Sequence, residues 1–94
     1  MYVIKRTKDF ERSIERLRHR GIKVSLRKHI EHTIDLLASG GKLSIAHRDH
    51  KLVGELAEYR ECHIQGDLLL IYAKDDMRHI LVLVDIGTHS QLFG

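Results

Sequence analysis

The sequence predicts an α+β fold, with two N-terminal helices packed on one face of a small antiparallel sheet in the order β-α-α-β-β-β. Three observations predict it. Apolar residues recur at steps of three and four between positions 10 and 37, the spacing that stacks side chains on one face of a helix. From position 59 onward the pattern becomes strand-like, in short runs rich in Ile, Leu, Val and Tyr. Glycines punctuate the chain between these runs, at Gly21, Gly40-Gly41, Gly66 and Gly87.

Each element follows in turn. Tyr2–Arg6 reads as a short strand, and Thr7 supplies a side-chain oxygen to cap the helix that follows it. Phe10, Ile14 and Leu17 form the apolar stripe of that first helix, which Gly21 ends. Leu26, Ile30, Ile34 and Leu37 repeat the spacing in a second helix, which the Gly40-Gly41 pair ends. Tyr59–Ile64 and Leu68–Ala73 then form a hairpin. With Gln65 and Gly66 as a two-residue turn, Ile64 faces Asp67 and His63 faces Leu68. Lys74–Met77 makes a second turn. Ile80–Val84 is nearly continuous Ile, Leu and Val, as in a central strand buried on both faces. Gly87 breaks that strand, and Thr88–Gly94 forms a short tail. The sheet face away from the helices stays open, a common place for a site.

Composition bounds the function. The 94 residues contain no proline, no Ser/Gly linker and no repeat, so positions 1–94 are expected to form a single domain. The longest apolar run, Leu68–Ala73, falls far short of the ~20 residues that span a bilayer. The first ten residues carry charge and no apolar signal core, and a lone Cys62 forms no internal disulfide. A cytoplasmic protein without a membrane partner is expected. Charge is divided unevenly: residues 1–46 hold 11 Lys and Arg against 5 Asp and Glu, whereas residues 47–94 hold 5 against 8. On the first helix Lys8, Arg12, Arg16 and His19 lie opposite the apolar stripe, as a solvated face or as a docking surface for RNA backbone.

Eight histidines are many for this length, and five lie in the second half. His29 and His32 read as plain surface residues of the second helix, and His47 and His79 have no motif partner. His63 and Asp67 meet at the hairpin tip, where a carboxylate beside an imidazole favours a proton carrier. Three readings of the set stay open. His47, His50, His63, Asp67 and His89 could ligate a metal, although no HExxH and no cysteine pair is present. They could be an inert scatter in a binding module. Or they could cleave RNA without a metal, which needs a base for the ribose 2′-OH, a cation for the phosphorane and an acid for the departing 5′-oxygen.

The second half resembles the YafQ-type branch of the RelE/ParE toxin superfamily. The resembling motifs are D-H-x-L-x-G (Asp49, His50, Leu52, Gly54), Y-R-x-x-H (Tyr59, Arg60, His63), the Asp67 turn with L-I-Y (Leu70, Ile71, Tyr72), and G-T-H-x-x-L-F-G from Gly87 to Gly94. The first half matches in pattern and length only. The resemblance implies a RelE-like fold and a ribosome-dependent mRNA endonuclease, the toxin of a type II toxin–antitoxin pair, working without a cofactor. It implies catalytic roles for His50, His63, Asp67 and His89, with His89 as general acid and Phe93 supporting the substrate base. Arg60 and Arg48 are candidate phosphate contacts by residue type, and Lys51 is another where the family often has Pro. Leu68 stands where the family often carries Trp. The implied partners are a cognate antitoxin of ribbon-helix-helix type, the ribosome with its mRNA, and operator DNA through the antitoxin alone. Two rivals share the fold: a ParE-like toxin that binds gyrase, and a catalytically dead module acting only in repression.

Overall fold

The computed structural model describes all residues from Met1 to Gly94. Strand β1 (Val3–Arg6) leads through Thr7 into α1 (Lys8–Arg20). Thr7 fixes this junction three times over. Its hydroxyl accepts from the Phe10 amide at 3.0 Å and donates to the Val84 carbonyl at 2.5 Å, while its own amide donates to the Leu83 carbonyl at 3.1 Å. The expected cap is therefore present, and it also ties the helix start to a distant strand. Gly21 ends α1, α2 spans Val24–Ser39, and Gly40 ends it. A loop with two short 3-10 turns, Ile45–His47 and Gly54–Leu56, brackets β2 (His50–Lys51). Then come β3 (Arg60–Gln65), β4 (Leu68–Asp75), β5 (Ile80–Gly87) and α3 (His89–Phe93).

The five strands form one sheet in the order β1-β5-β4-β3-β2. Helix α1 lies over β5 and α2 over β3. Between helices and sheet sit Phe10, Ile30, Leu37, Cys62, Leu70, Tyr72, Leu81, Leu83 and Ile86, all buried. The α+β class and the helices on one face are as the sequence predicts. No helix is long and apolar enough to cross a membrane.

Five features differ from expectation, the first three for a plain physical reason. The sheet is mixed, because β1 runs parallel to β5 with Val3 beside Ile80 and Arg6 beside Leu83. Side-chain alternation is the same in either direction, so it carries no signal for this. The strand buried on both faces is β4, from Leu68 to Tyr72, whereas β5 alternates and leaves Ile80, Val82 and Val84 half-buried. Position decides it: β4 is the middle of the five strands. The hairpin turn is Gly66-Asp67 in place of Gln65-Gly66, with Gln65 paired to Leu68 and His63 to Leu69. Gly66 supplies the positive φ of +56° at the first turn position, and the register shift between His63 and Gln65 absorbs Ile64 as a bulge. Finally, His50–Lys51 adds a strand that the predicted β-α-α-β-β-β order lacks, and the C-terminal tail closes into α3.

Cys62 faces the helices and is fully buried, as alternation with His63 predicts. Burial, with the negative charges of Asp49 and Glu61, pushes its thiol from an ordinary 9.0 up to about 12. Burial and the hydrogen bond to Asp49 likewise raise the Tyr72 hydroxyl. Both groups keep their protons in the folded chain after the unfolded chain has lost them, so stability falls as pH rises from about 9 to about 12. Urea midpoints should decline across this window. The decline should be shallower in Cys62→Ala than in the wild type; equal slopes would show that the thiol does not titrate on unfolding.

Candidate catalytic site

Strand β3 divides its side chains between two environments. Cys62 and Ile64 enter the core against the helices. Glu61 and His63, two residues apart, stand on the opposite face. Strand β2 places His50 directly across from Glu61. One carboxylate oxygen of Glu61 then lies 3.6 Å from Nε2 of His50 and 3.8 Å from Nε2 of His63. Glu61 itself is only 3% exposed.

The His50 ring is oriented by the backbone behind it. Its Nδ1 lies 2.7 Å from the carbonyl oxygen of Arg48, a residue at a positive φ of 47° where the chain turns out of the first 3-10 turn. A carbonyl oxygen only accepts, so Nδ1 carries hydrogen and Nε2 is the atom that can take or give a proton.

Helix α3 brings the other imidazole. Nδ1 of His89 lies 3.3 Å from a carboxylate oxygen of Asp67, in the β3–β4 turn. The His63 and His89 ring centroids are 6.2 Å apart, and the Phe93 ring is 5.8 Å from that of His89. Asp67 therefore serves His89, not His63 as the two-residue turn predicted. His63 has Glu61 as its acidic neighbour, because Ile64 bulges out of the register and His63 pairs opposite Leu69. His50, Glu61, His63, His89, Asp67 and Phe93 thus form one file of groups. No three His, Cys, Asp or Glu side chains come together in a way that could hold a metal ion.

The cations named from the sequence sit elsewhere. Arg60 makes two hydrogen bonds to Asp49, at 3.3 and 3.0 Å, and Asp49 also accepts from the Tyr72 hydroxyl at 2.5 Å. The hydrogen bond to Asp49 raises the Arg60 pKa above its ordinary value, outweighing the opposing effect of burial. Arg60 is committed to holding the loop against the sheet. Arg48 reaches His50 through its carbonyl, and its side chain borders a separate cleft with Lys42 and Lys74. Lys51 is exposed, pairs opposite Arg60 and alternates away from His50. Leu68 is buried in the core beneath the helices. On α1, Arg12 pairs with Asp9 at 3.2 Å and Arg16 donates to Ser13 at 3.0 Å.

Sequence reasoning missed Glu61. Its signal was there: an acidic residue two before His63 in a strand must share that histidine's face. Asp49 was also missed as a structural hub, since its partners Arg60 and Tyr72 lie 11 and 23 positions away.

Three comparisons with known proteins bear on this geometry. A family model described as bacterial toxin of type II toxin–antitoxin system, YafQ, matches residues 2–94. A YafQ toxin of Haemophilus influenzae is 41% identical over 66 residues, covering 70% of this chain and 65% of its own length. The mRNA interferase toxin YafQ of Escherichia coli is 38% identical over 52 residues, covering 55% of this chain and 54% of its own. The aligned segments thus span less than two thirds of either relative. In a crystal structure of the DinJ–YafQ complex of E. coli, one chain superposes with a TM-score of 0.87 at 25% identity, covering 100% of both chains.

Asp49→Ala leaves a guanidinium and a hydroxyl that is 1% exposed by residue without their acceptor. Chemical denaturation should show a loss of about 1–3 kcal/mol, the usual penalty for a buried polar group left unpaired. Combining it with Tyr72→Phe should lose less than the sum of the single variants. Strict additivity would mean that the two residues are not coupled.

Proposed function

The chain belongs to the YafQ family of bacterial toxins of type II toxin–antitoxin systems, and from that membership we propose that it is a ribosome-dependent mRNA endonuclease. The observation that carries the reading is the pair of imidazoles His63 and His89, 6.2 Å apart, each with its own carboxylate. Two proton carriers at that separation flank a space suited to one phosphodiester. His50, anchored on the same Glu61, adds a third ring at the His63 end.

In this reading one imidazole of the His50–His63 end removes the proton from the ribose 2′-OH. The 2′-oxygen attacks phosphorus as the bond to the 5′-oxygen breaks, and His89 gives that oxygen its proton. The products are a 5′-hydroxyl and a 2′,3′-cyclic phosphate, with no cofactor consumed. Asp67 accepts from Nδ1 of His89, so Nε2 is the atom that donates to the leaving group. The other ring of the His50–His63 end, when protonated, offsets charge on the phosphorane. Phe93, four residues beyond His89 on α3, offers a ring face to the adjacent base. Arg60 directs two of its donors to Asp49, and Lys51 and Arg48 lie outside the imidazole file, where they can only meet RNA backbone flanking the cleaved linkage.

The partners follow from the reading: programmed ribosomes in the cytoplasm, and a cognate antitoxin of ribbon-helix-helix type that brings the pair to operator DNA. Nothing in the site favours gyrase binding, which requires no acid–base groups.

His89 is exposed on a surface helix, so His89→Ala should stay folded. Cleavage of ribosome-bound mRNA by this variant should fall by ~10²–10⁴-fold, the usual contribution of a general acid. Equal growth arrest by wild type and variant would overturn the nuclease assignment.

A further inference from the structure

Helix α3 carries two groups of the proposed site yet has only five residues. Isolated helices this short do not persist in water, so something beyond propensity must hold it. Three features do. The Thr88 hydroxyl accepts from the Gln91 amide at 3.2 Å, while Oε1 of Gln91 accepts from the Thr88 amide at 2.9 Å, a reciprocal capping box. The third feature lies directly behind it at Gly87. A Cβ at that position would come within 2.8 Å of Oε1 of Gln91, so the absence of a side chain there makes room for the carboxamide. On the other side Gln91 lines a crevice with Ser13, Arg16 and Ile86, which backs α3 against α1 and β5.

His89 is the first residue of α3 and Phe93 is four residues later, so both leave the helix on the same side. The direction of α3 therefore sets the His89 contact to Asp67 and the spacing to His63 together. From this arrangement we propose that Gln91 is a positioning residue: its carboxamide, seated against Gly87, holds α3 so that His89 and Phe93 meet the substrate in register. The inference rests on the catalytic reading of His89.

The test is single-turnover cleavage on programmed ribosomes with Gln91→Ala, Gln91→Glu, His89→Ala and the double variant Gln91→Ala/His89→Ala. Gln91 is exposed, so its removal leaves the core untouched. Gln91→Ala should lower the cleavage rate at saturating ribosomes by roughly 10- to 100-fold, as small misplacements of reacting groups do. The half-saturating ribosome concentration should stay unchanged, and the urea midpoint should match that of the wild type, which separates misplacement of His89 from loss of folded protein. Gln91→Glu keeps an acceptor at the same place in the capping box and should recover most of the rate. In the His89→Ala background, Gln91→Ala should add only the small effect carried by Phe93. Full activity of Gln91→Ala, or equal defects in the Ala and Glu variants, would overturn the positioning role while leaving His89 as the acid. Full activity of His89→Ala would overturn both.

Discussion

A carboxylate withdrawn from water on a surface that otherwise stays open needs positive or hydrogen-donating partners, because an unpaired buried charge is costly. Glu61 is in that position, and the groups facing it are His50 and His63. The need works in both directions. Glu61 gives the two rings a shared point of orientation, and the rings give Glu61 the partners that let it remain buried. This triad also explains why β2, only two residues long, pairs where it does: His50 reaches Glu61 only when β2 is registered on β3.

Irregularities in the sheet do the rest of the positioning. Bulges commonly re-aim side chains next to active sites, and here there are two. The first, at Ile64, lets the hairpin end in the Gly66-Asp67 turn, which carries Asp67 to His89. The second lies in β5, between the pairs formed by Ile71 and Tyr72. There the Asp85 carboxylate accepts from the Ser13 hydroxyl at 2.6 Å and from the Ile86 amide at 2.8 Å. That carboxylate pins the end of β5 to α1, two residues before Gly87. The first helix thus steadies the last one through a strand that touches both.

Much of this was legible in the sequence, and the boundary has physical causes. Period and punctuation revealed both long helices, since Phe10, Ile30 and Leu37 are core residues and Gly21 and Gly40 are the stops. The motif histidines do share one face. What alternation does not encode is direction or neighbour, so parallel β1 and the doubly buried β4 were hidden. Pairings between distant positions were hidden too. Arg60 reads as a phosphate contact by type, and only tertiary structure shows Asp49 occupying it. A one-residue bulge was enough to give Asp67 a different histidine. The T-x-x-Q spacing of Thr88 and Gln91 was readable as a helix start, but the preceding strand drew the segment toward a tail.

The openness of the site bears on how such a chain would act. Side chains of His50, His89 and Asp67 are 51%, 58% and 64% exposed, and the imidazole–carboxylate contacts are 3.3–3.8 Å long. In water at that exposure the Asp67 carboxylate interacts weakly with the His89 ring, because solvent and salt screen the pair. Catalytic hydrogen bonds of this kind shorten, and their electrostatics strengthen, when a bound macromolecule excludes water. A fold with no lid of its own must borrow that cover from its substrate's surroundings. In the proposed function, messenger RNA presented inside a ribosome would supply it, whereas a free strand would leave the same groups wet. The ribosome dependence proposed above would suit a site whose only deeply buried member is Glu61.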